Sequence, residues 1–324
     1  MHTLEQLQDI ISREIDQFVV NIKEDNLYKP VKYIVNIGGK RMRPALMLFS
    51  CDMFGGDIQE AISPAIGVEV FHNFTLMHDD IMDEAPLRRG HQTVHHRWNI
   101  NNAILSGDVM FVMGYQLMCK VRHAILPEVL SVFSQTATEV CEGQQLDMDF
   151  EQRNDVTIDE YIEMIRLKTS VLLAGSLKIG GIIAGASPAD VENIYRFGEH
   201  IGIAFQLQDD LLDAFGEAAK FGKQVGGDIL ANKKTYLLLK AFEKASAEQR
   251  LMLDDLAANY GNNAEEKVSK TLNLFNEMDI RSETEKIMNR YFDSAMNYLN
   301  AVNVEPSRKA QMIDFAEKLL IREY

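Results

Sequence analysis

The sequence predicts an all-α protein, and three observations carry that prediction. Apolar residues recur at spacings of three and four, as in Leu4, Leu7, Ile10, Ile11, Ile15 and Phe18, which is the stripe of an amphipathic helix. Only 7 prolines interrupt the 324 residues, at positions 30, 44, 64, 86, 127, 188 and 306, and long proline-free stretches favour long helices. No convincing run of alternating β-branched residues and no strand–helix–strand rhythm is present.

The elements follow in order. The N-terminal stripe forms the first helix. Gly38-Gly39 breaks the pattern, and Arg43-Pro44 opens a second apolar helix that Gly55-Gly56 ends, because proline suits a first helical turn and glycine pairs stop helices. A third helix runs from Ile62 to Asp83. Further helices are expected over 101–122, 128–150, 158–184, 190–213, 233–243, 247–260, 263–276 and 283–302, with a last one after Pro306. No linker rich in Pro, Gly or Ser divides the chain, so residues 1–324 are expected to form one helical domain.

Composition narrows the function. The net charge of −15 disfavours general nucleic-acid binding, which rests on phosphate neutralisation by Lys and Arg. Any anionic substrate must be held by local basic residues or a divalent metal. Cys51, Cys119 and Cys141 form no paired framework and no CxxC, which fits a reducing cytoplasm. The N-terminal segment carries acids where a signal peptide has a basic stretch and an apolar core. The apolar stretch Thr169–Ser187 is interrupted by Lys178 and several glycines. It is expected to be a buried helix and its exit, with no integral membrane segment.

Two acidic clusters stand out, Asp79-Asp80-Ile81-Met82-Asp83 and Asp209-Asp210-Leu211-Leu212-Asp213. Each is DDxxD at the end of an apolar helix, where residues three and four apart share a face. Each triplet is therefore expected to converge. Like charges this close need a cation, and oxygen-only ligands suit Mg²⁺ shared with substrate phosphates. Acids at a helix C-terminus also oppose its dipole, which argues against a purely structural role.

Basic partners accompany them. Gly38-Gly39-Lys40-Arg41-Met42-Arg43-Pro44 sets three cations beside a glycine pair at a helix start, a place that attracts anions. Arg88-Arg89-Gly90 follows the first acidic cluster, and guanidiniums clamp phosphate oxygens in pairs. Lys168-Thr169 and Gln206 lie in apolar helices. Residues 222–235 form a glycine-bearing loop with several cations, but Gln224 stands where a Walker loop needs Ser or Thr. His91 and His95 lack an evident third zinc ligand nearby.

Together these motifs resemble the trans-isoprenyl diphosphate synthase (polyprenyl synthetase) family, short-chain type. The resemblance runs in order through GGKRMRP at 38–44, FHNFTLMHDDIMD at 71–83, RRG at 88–90, GD at 107–108, GQQLD at 143–147, KT at 168–169, FQLQDDLLD at 205–213 and GKQVGGDILANKKT at 222–235. It implies the isoprenoid synthase fold: long, mostly antiparallel helices around a deep central cavity, with the acidic clusters facing each other across its mouth. It also implies a homodimer. Isopentenyl diphosphate and an allylic diphosphate (dimethylallyl, geranyl or farnesyl) are the implied substrates. Mg²⁺ is the implied cofactor, as three ions with substrate bound and replaceable by Mn²⁺. Asp79, Asp83 and Asp209 are the implied ligands, with Asp80 and Asp213 close by, and Asp210 counts among the implied catalytic residues. Lys40, Arg43, His72 and Arg89 match the isopentenyl site. Arg88, Lys168, Lys223 and Lys233 match the allylic clamp, with Thr169 and Gln206 beside the reacting carbons. Gln224, where many relatives carry Pro, is a departure.

Phe71, Phe74 and Thr75 precede Asp79 by one or two helical turns and are the implied determinants of chain length. One aromatic just before the motif, with no insertion in it, points to the twenty-carbon geranylgeranyl diphosphate, with the fifteen-carbon farnesyl product second. A class I terpene cyclase ionises the same substrates but has no isopentenyl diphosphate for GGKRMRP to hold. A noncatalytic subunit of a heteromeric synthase typically loses aspartates or basic contacts, and this chain has lost none.

Overall fold

The computed structural model describes residues 1–216, 226–259 and 263–320, and the protein is all-α. In chain order the helices are α1 (Leu4–Val20), α2 (Lys29–Asn36), α3 (Met42–Met53), α4 (Ile58–Met82), α5 (Val94–Arg97), α6 (Ile100–Met118), α7 (Leu126–Gln152), α8 (Ile158–Ile165), α9 (Val171–Ala184), α10 (Pro188–Phe215), α11 (Gly227–Leu230), α12 (Tyr236–Lys244), α13 (Ala247–Asn259), α14 (Ala264–Glu277), α15 (Ile280–Ala301) and α16 (Pro306–Leu320). Packing gathers the chain into two compact units.

The first unit comprises Met1–Thr136, Gly175–Tyr195 and Val302–Gln311. A capping box of Thr3 and Gln6 starts α1, whose Leu7, Ile11, Ile15 and Val19 are buried. Pro44 sits in the first turn of α3, where its missing N–H removes no helical bond. Asp57 caps α4, which begins at Ile58, four residues before the expected start at Ile62, and the helix carries Pro64 inside it. Helices α4 and α6 pack closely because Gly67 leaves room: a Cβ there would lie 3.1 Å from the Gly114 carbonyl.

The second unit comprises Ala137–Ala174, Arg196–Ala301 and Met312–Tyr324. Its core includes Phe150, Tyr161, Leu207, Leu211, Tyr236, Phe275 and Met288. The stretch Ile158–Ala184 is long and apolar enough to cross a membrane, but 72% of its most apolar window is buried inside the protein.

Four local features depart from the sequence-based expectation. Helix α2 has no counterpart in the predicted elements, and it carries Pro30 in its first turn. A two-residue hairpin, β1 (Leu87–Arg88) with β2 (His91–Gln92), interrupts the helices. The expected single helix over 158–184 contains a π-helical turn at Arg166–Ser170. The short α11 precedes the helix expected to begin at 233.

Candidate active site

In the first unit the hairpin separates the two adjacent arginines. Its turn residues, Arg89 and Gly90, have φ of 51° and 77°, the pair of positive angles that a two-residue type I′ turn requires. Arg88, on the strand, turns back to Asp80: its Nε lies 2.8 and 2.9 Å from the two carboxylate oxygens and its Nη2 2.7 Å from Oδ1. Asp80 is 2% exposed. The expected convergence of all three aspartates is corrected here. Successive helical residues are about 100° apart, so Asp80 points into the core while Asp79 stays half-buried and Asp83 exposed.

Arg89 lies against the glycine pair. A Cβ on Gly39 would come within 2.6 Å of its Nη1, so a larger residue there would push the guanidinium aside. Arg43 donates from Nη1 to His72 Nε2 at 3.3 Å. An arginine only donates, so this contact places the imidazole proton on Nδ1. Burial, then Arg43 and Arg89, hold the His72 pKa well below the ordinary histidine range, and the ring is neutral. Burial also lowers the Arg43 and Arg89 pKa values, with Glu69 opposing. Lys40 is exposed.

Glu69 is one residue that sequence reasoning missed. It is 5% exposed on α4, pairs with Arg41, and accepts from Asn73 Nδ2 at 3.1 Å. Arg41, at φ 49°, also donates to the Val35 carbonyl. The middle cation of GGKRMRP is thus the internal anchor of its loop. An acid ten residues before Asp79 on an apolar helix was the available signal.

Below Asp79, Phe74 is half-buried, with its ring centroid 5.5 Å from Phe71, 5.3 Å from Phe111 and 4.7 Å from His78. Phe71 is fully buried and also meets Phe133. Tyr115 joins Phe111 and Phe133. The Thr75 hydroxyl donates to the His72 carbonyl at 2.8 Å. Phe111, Tyr115 and Phe133 come from α6 and α7, so no motif around Asp79 could reveal them.

In the second unit the π-helical turn carries Lys168 and Thr169. Its extra residue is accommodated by two glycines: Gly143 of α7 packs against the Lys168 backbone, and a Cβ on Gly202 of α10 would lie 2.8 Å from Ser170 Cα. π-turns concentrate at functional sites. Lys168 pairs with Asp147, so the motif GQQLD contributes both the glycine and the counter-ion. The Thr169 hydroxyl donates to Gln206 Oε1 at 3.4 Å, and Gln206 Nε2 donates to Asp210 Oδ1 at 3.3 Å.

Asp210 repeats the behaviour of Asp80. It is 5% exposed and accepts from the Tyr161 hydroxyl; burial pushes its pKa up to about 7, against the hydrogen bond from Tyr161. Asp209 remains half-buried at the helix surface. Asp213 Oδ2 accepts from the Asp228 amide at 2.9 Å, tying the acidic motif to the loop that bears Lys233, which is exposed. Lys223 and Gln224 lie outside the described residues.

Within either unit, no three His, Cys, Asp or Glu side chains among the described residues gather as a ready-made metal cage. Mg²⁺ asks for less: one or two carboxylates, with waters and substrate phosphate completing its shell. Asp79 and Asp83, four apart in sequence at the end of α4, are all-oxygen donors of that kind, and Asp209 is another. The donor set therefore fits the ion.

Comparison with known proteins agrees with this chemistry. The model of the polyprenyl synthetase family matches residues 24–275. A geranylgeranyl diphosphate synthase of Methanosarcina mazei is 41% identical over 236 residues, 72% of this chain and 73% of that protein. A geranylgeranyl pyrophosphate synthase of Geoglobus acetivorans is 33% identical over 317 residues, 97% of each. A crystal structure of a geranylgeranyl pyrophosphate synthase superposes with a TM-score of 0.95 at 43% identity, covering 100% of both chains.

Proposed function

Because this chain belongs to the polyprenyl synthetase family, we propose that it joins isopentenyl diphosphate head-to-tail to an allylic diphosphate, with geranylgeranyl diphosphate as the product. The protein is a prenyltransferase. The observation that carries the two-substrate reading is the cluster of Arg43, His72 and Arg89 around buried Glu69, an anion site separate in sequence from the Lys168 and Lys233 cations. Cyclisation of a single diphosphate needs no such second site.

Lys40, Arg43, His72 and Arg89 hold isopentenyl diphosphate. A neutral His72 with its proton on Nδ1 adds a donor without adding charge. Arg88, Lys168, Lys223 and Lys233 hold the allylic diphosphate. Arg88 meets Asp80 through Nε and Nη2, which leaves Nη1 outside that fork for a phosphate oxygen. Asp79, Asp83 and Asp209 hold Mg²⁺, with Asp80, Asp210 and Asp213 as their supports. When bound there, Mg²⁺ would supply electrostatic stabilisation of the charge that develops on the leaving diphosphate.

The allylic C–O bond breaks, and its electron pair leaves with the diphosphate. Thr169 donates its hydroxyl hydrogen to Gln206, which leaves its oxygen lone pairs available to stabilise the allylic cation. The isopentenyl double bond supplies the electrons of the new C–C bond, and the released diphosphate takes the proton then lost. Water must be excluded while the cation lives.

The aromatic group of Phe71, Phe74, Phe111, Tyr115 and Phe133 supports a twenty-carbon limit as the wall that the growing chain meets. Ile104, Leu105 and Val112 of α6, exposed by 41%, 59% and 51%, support a homodimer as a face a second copy would cover. The free thiols of Cys51, Cys119 and Cys141 support a cytoplasmic site of action. The test is incubation with Mg²⁺, radiolabelled isopentenyl diphosphate and each allylic primer, followed by chain-length analysis. Label should enter a twenty-carbon product; no incorporation with any primer overturns the reading.

A further inference from the structure

The second unit holds a buried lysine that this chemistry does not use. Lys267, on α14, is 6% exposed, and burial lowers its pKa. Its Nζ donates to the Leu230 carbonyl at 3.2 Å and to Asn232 Oδ1 at 2.7 Å. Both acceptors are neutral, so the ammonium is desolvated without a counter-charge at these contacts. An apolar side chain would fill the same space without that penalty, and packing alone is a poor reason for a lysine here.

What Lys267 holds is the residue before Lys233. Asn232 has φ of 53°, a left-handed conformation that asparagine adopts more readily than other non-glycine residues and that its side-chain contacts hold in place here. Its side chain is gripped twice: Oδ1 by Lys267, and Nδ2 by the Ala257 carbonyl of α13 at 3.2 Å. The Lys233 amide donates to the Asp228 carbonyl, and the Thr235 amide to the Lys233 carbonyl, both at 2.9 Å. At the other end, Asp213 receives the amides of Gly226 and Asp228. The direction in which Lys233 leaves the backbone follows from the left-handed turn at Asn232.

We propose that Lys267 is a positioning residue for the allylic diphosphate, fixing Asn232 in its left-handed turn so that Lys233 is presented to the phosphate. The inference rests on the functional reading above. Lys267 touches no reacting group and acts through Lys233.

The test is a double-substitution cycle on steady-state kinetics, with melting temperatures measured alongside. Lys267→Met keeps the length and removes the charge. It should fold, raise KM for the allylic diphosphate about tenfold, and leave KM for isopentenyl diphosphate within about twofold. In a Lys233→Ala background it should change the allylic KM no further. Asn232→Gly removes the amide but keeps the left-handed backbone accessible, and it should reproduce the selective change even if Lys267→Met proves unstable. An unchanged allylic KM in either folded variant, or an undiminished effect of Lys267→Met without Lys233, overturns the inference. Absence of condensation by the parent protein overturns the reading beneath it, and the inference with it.

Discussion

A Cβ on Gly143 would lie 2.3 Å from the backbone nitrogen of Lys168. No side-chain rotation relieves such a clash, so the π-helical turn and α7 fit together only with glycine at this place. Gly143→Ala should shift the turn. A displacement near 1 Å in a reacting site lowers turnover about 100-fold, so kcat should fall by that order while circular dichroism stays helical. Single-turnover kinetics on the variant checks this.

The outer aspartates and the buried ones should separate in experiment. Asp79→Ala, Asp83→Ala and Asp209→Ala should nearly abolish turnover with little change in melting temperature. Asp80→Asn should instead destabilise the protein, by about 3 kcal/mol, because it leaves Arg88 facing an uncharged partner in a buried pair. Chelation should stop turnover of the parent, and Mg²⁺ should restore it. Calorimetric melting with parallel assays distinguishes the two classes.

Arg43→Ala and His72→Ala should raise KM for isopentenyl diphosphate more than for the allylic substrate. Lys168→Ala and Lys233→Ala should do the reverse. A charge-assisted contact to phosphate contributes about 1.5–3 kcal/mol, so each selective change should exceed tenfold. Initial rates with one substrate varied at a time resolve them.

Much of this arrangement was legible in the sequence. Two DDxxD motifs, GGKRMRP and RRG pointed to the polyprenyl synthetase family that the comparisons show, because carboxylates and cations at such spacings have few other uses. The inward turn of Asp80 and Asp210 was not legible. Helical spacing puts a residue on a face but does not say which neighbour arrives at that face, and Arg88 comes from a hairpin whose type I′ turn is written only in Arg89-Gly90. Glu69 stayed hidden because one acid on an apolar helix gives no sign of its partner. Phe111 reaches Phe74 only through the close packing of α4 on α6, and Tyr115 joins the group through Phe111 and Phe133.

Phe74→Ala should lengthen the products. The residue stands five positions before Asp79, about 7.5 Å along a helix that rises 1.5 Å per residue. Its removal opens the aromatic group toward Phe71 and Phe111. Chain-length analysis of the folded variant should show a larger share of products beyond the parent's.

Acid should weaken the protein through His72. Its folded pKa is depressed by burial and by Arg43, so below the ordinary histidine value of about 6.5 the unfolded chain takes up a proton that the folded chain refuses. Stability from this group is therefore full above that pH and declines as pH falls beneath it. His72→Gln should flatten the fall in melting temperature between pH 7 and pH 5 relative to the parent, as thermal scans across that range would show.

The turn at Arg166–Ser170 also sets the phase of everything that follows it. A π-turn inserts one residue into the helical count, and each residue is worth about 100° of rotation. The apolar stripe of α8 and that of α9 cannot be read as one continuous wheel, because the second is wound out of step with the first. Losing Arg166 or Leu167 from that turn would put the two back in step, swing Lys168 and Thr169 about a quarter-turn round the axis, and leave a more regular helix that no longer offers either side chain to Asp147 or Gln206. Regularity and chemistry are alternatives at this point in the chain, separated by one codon.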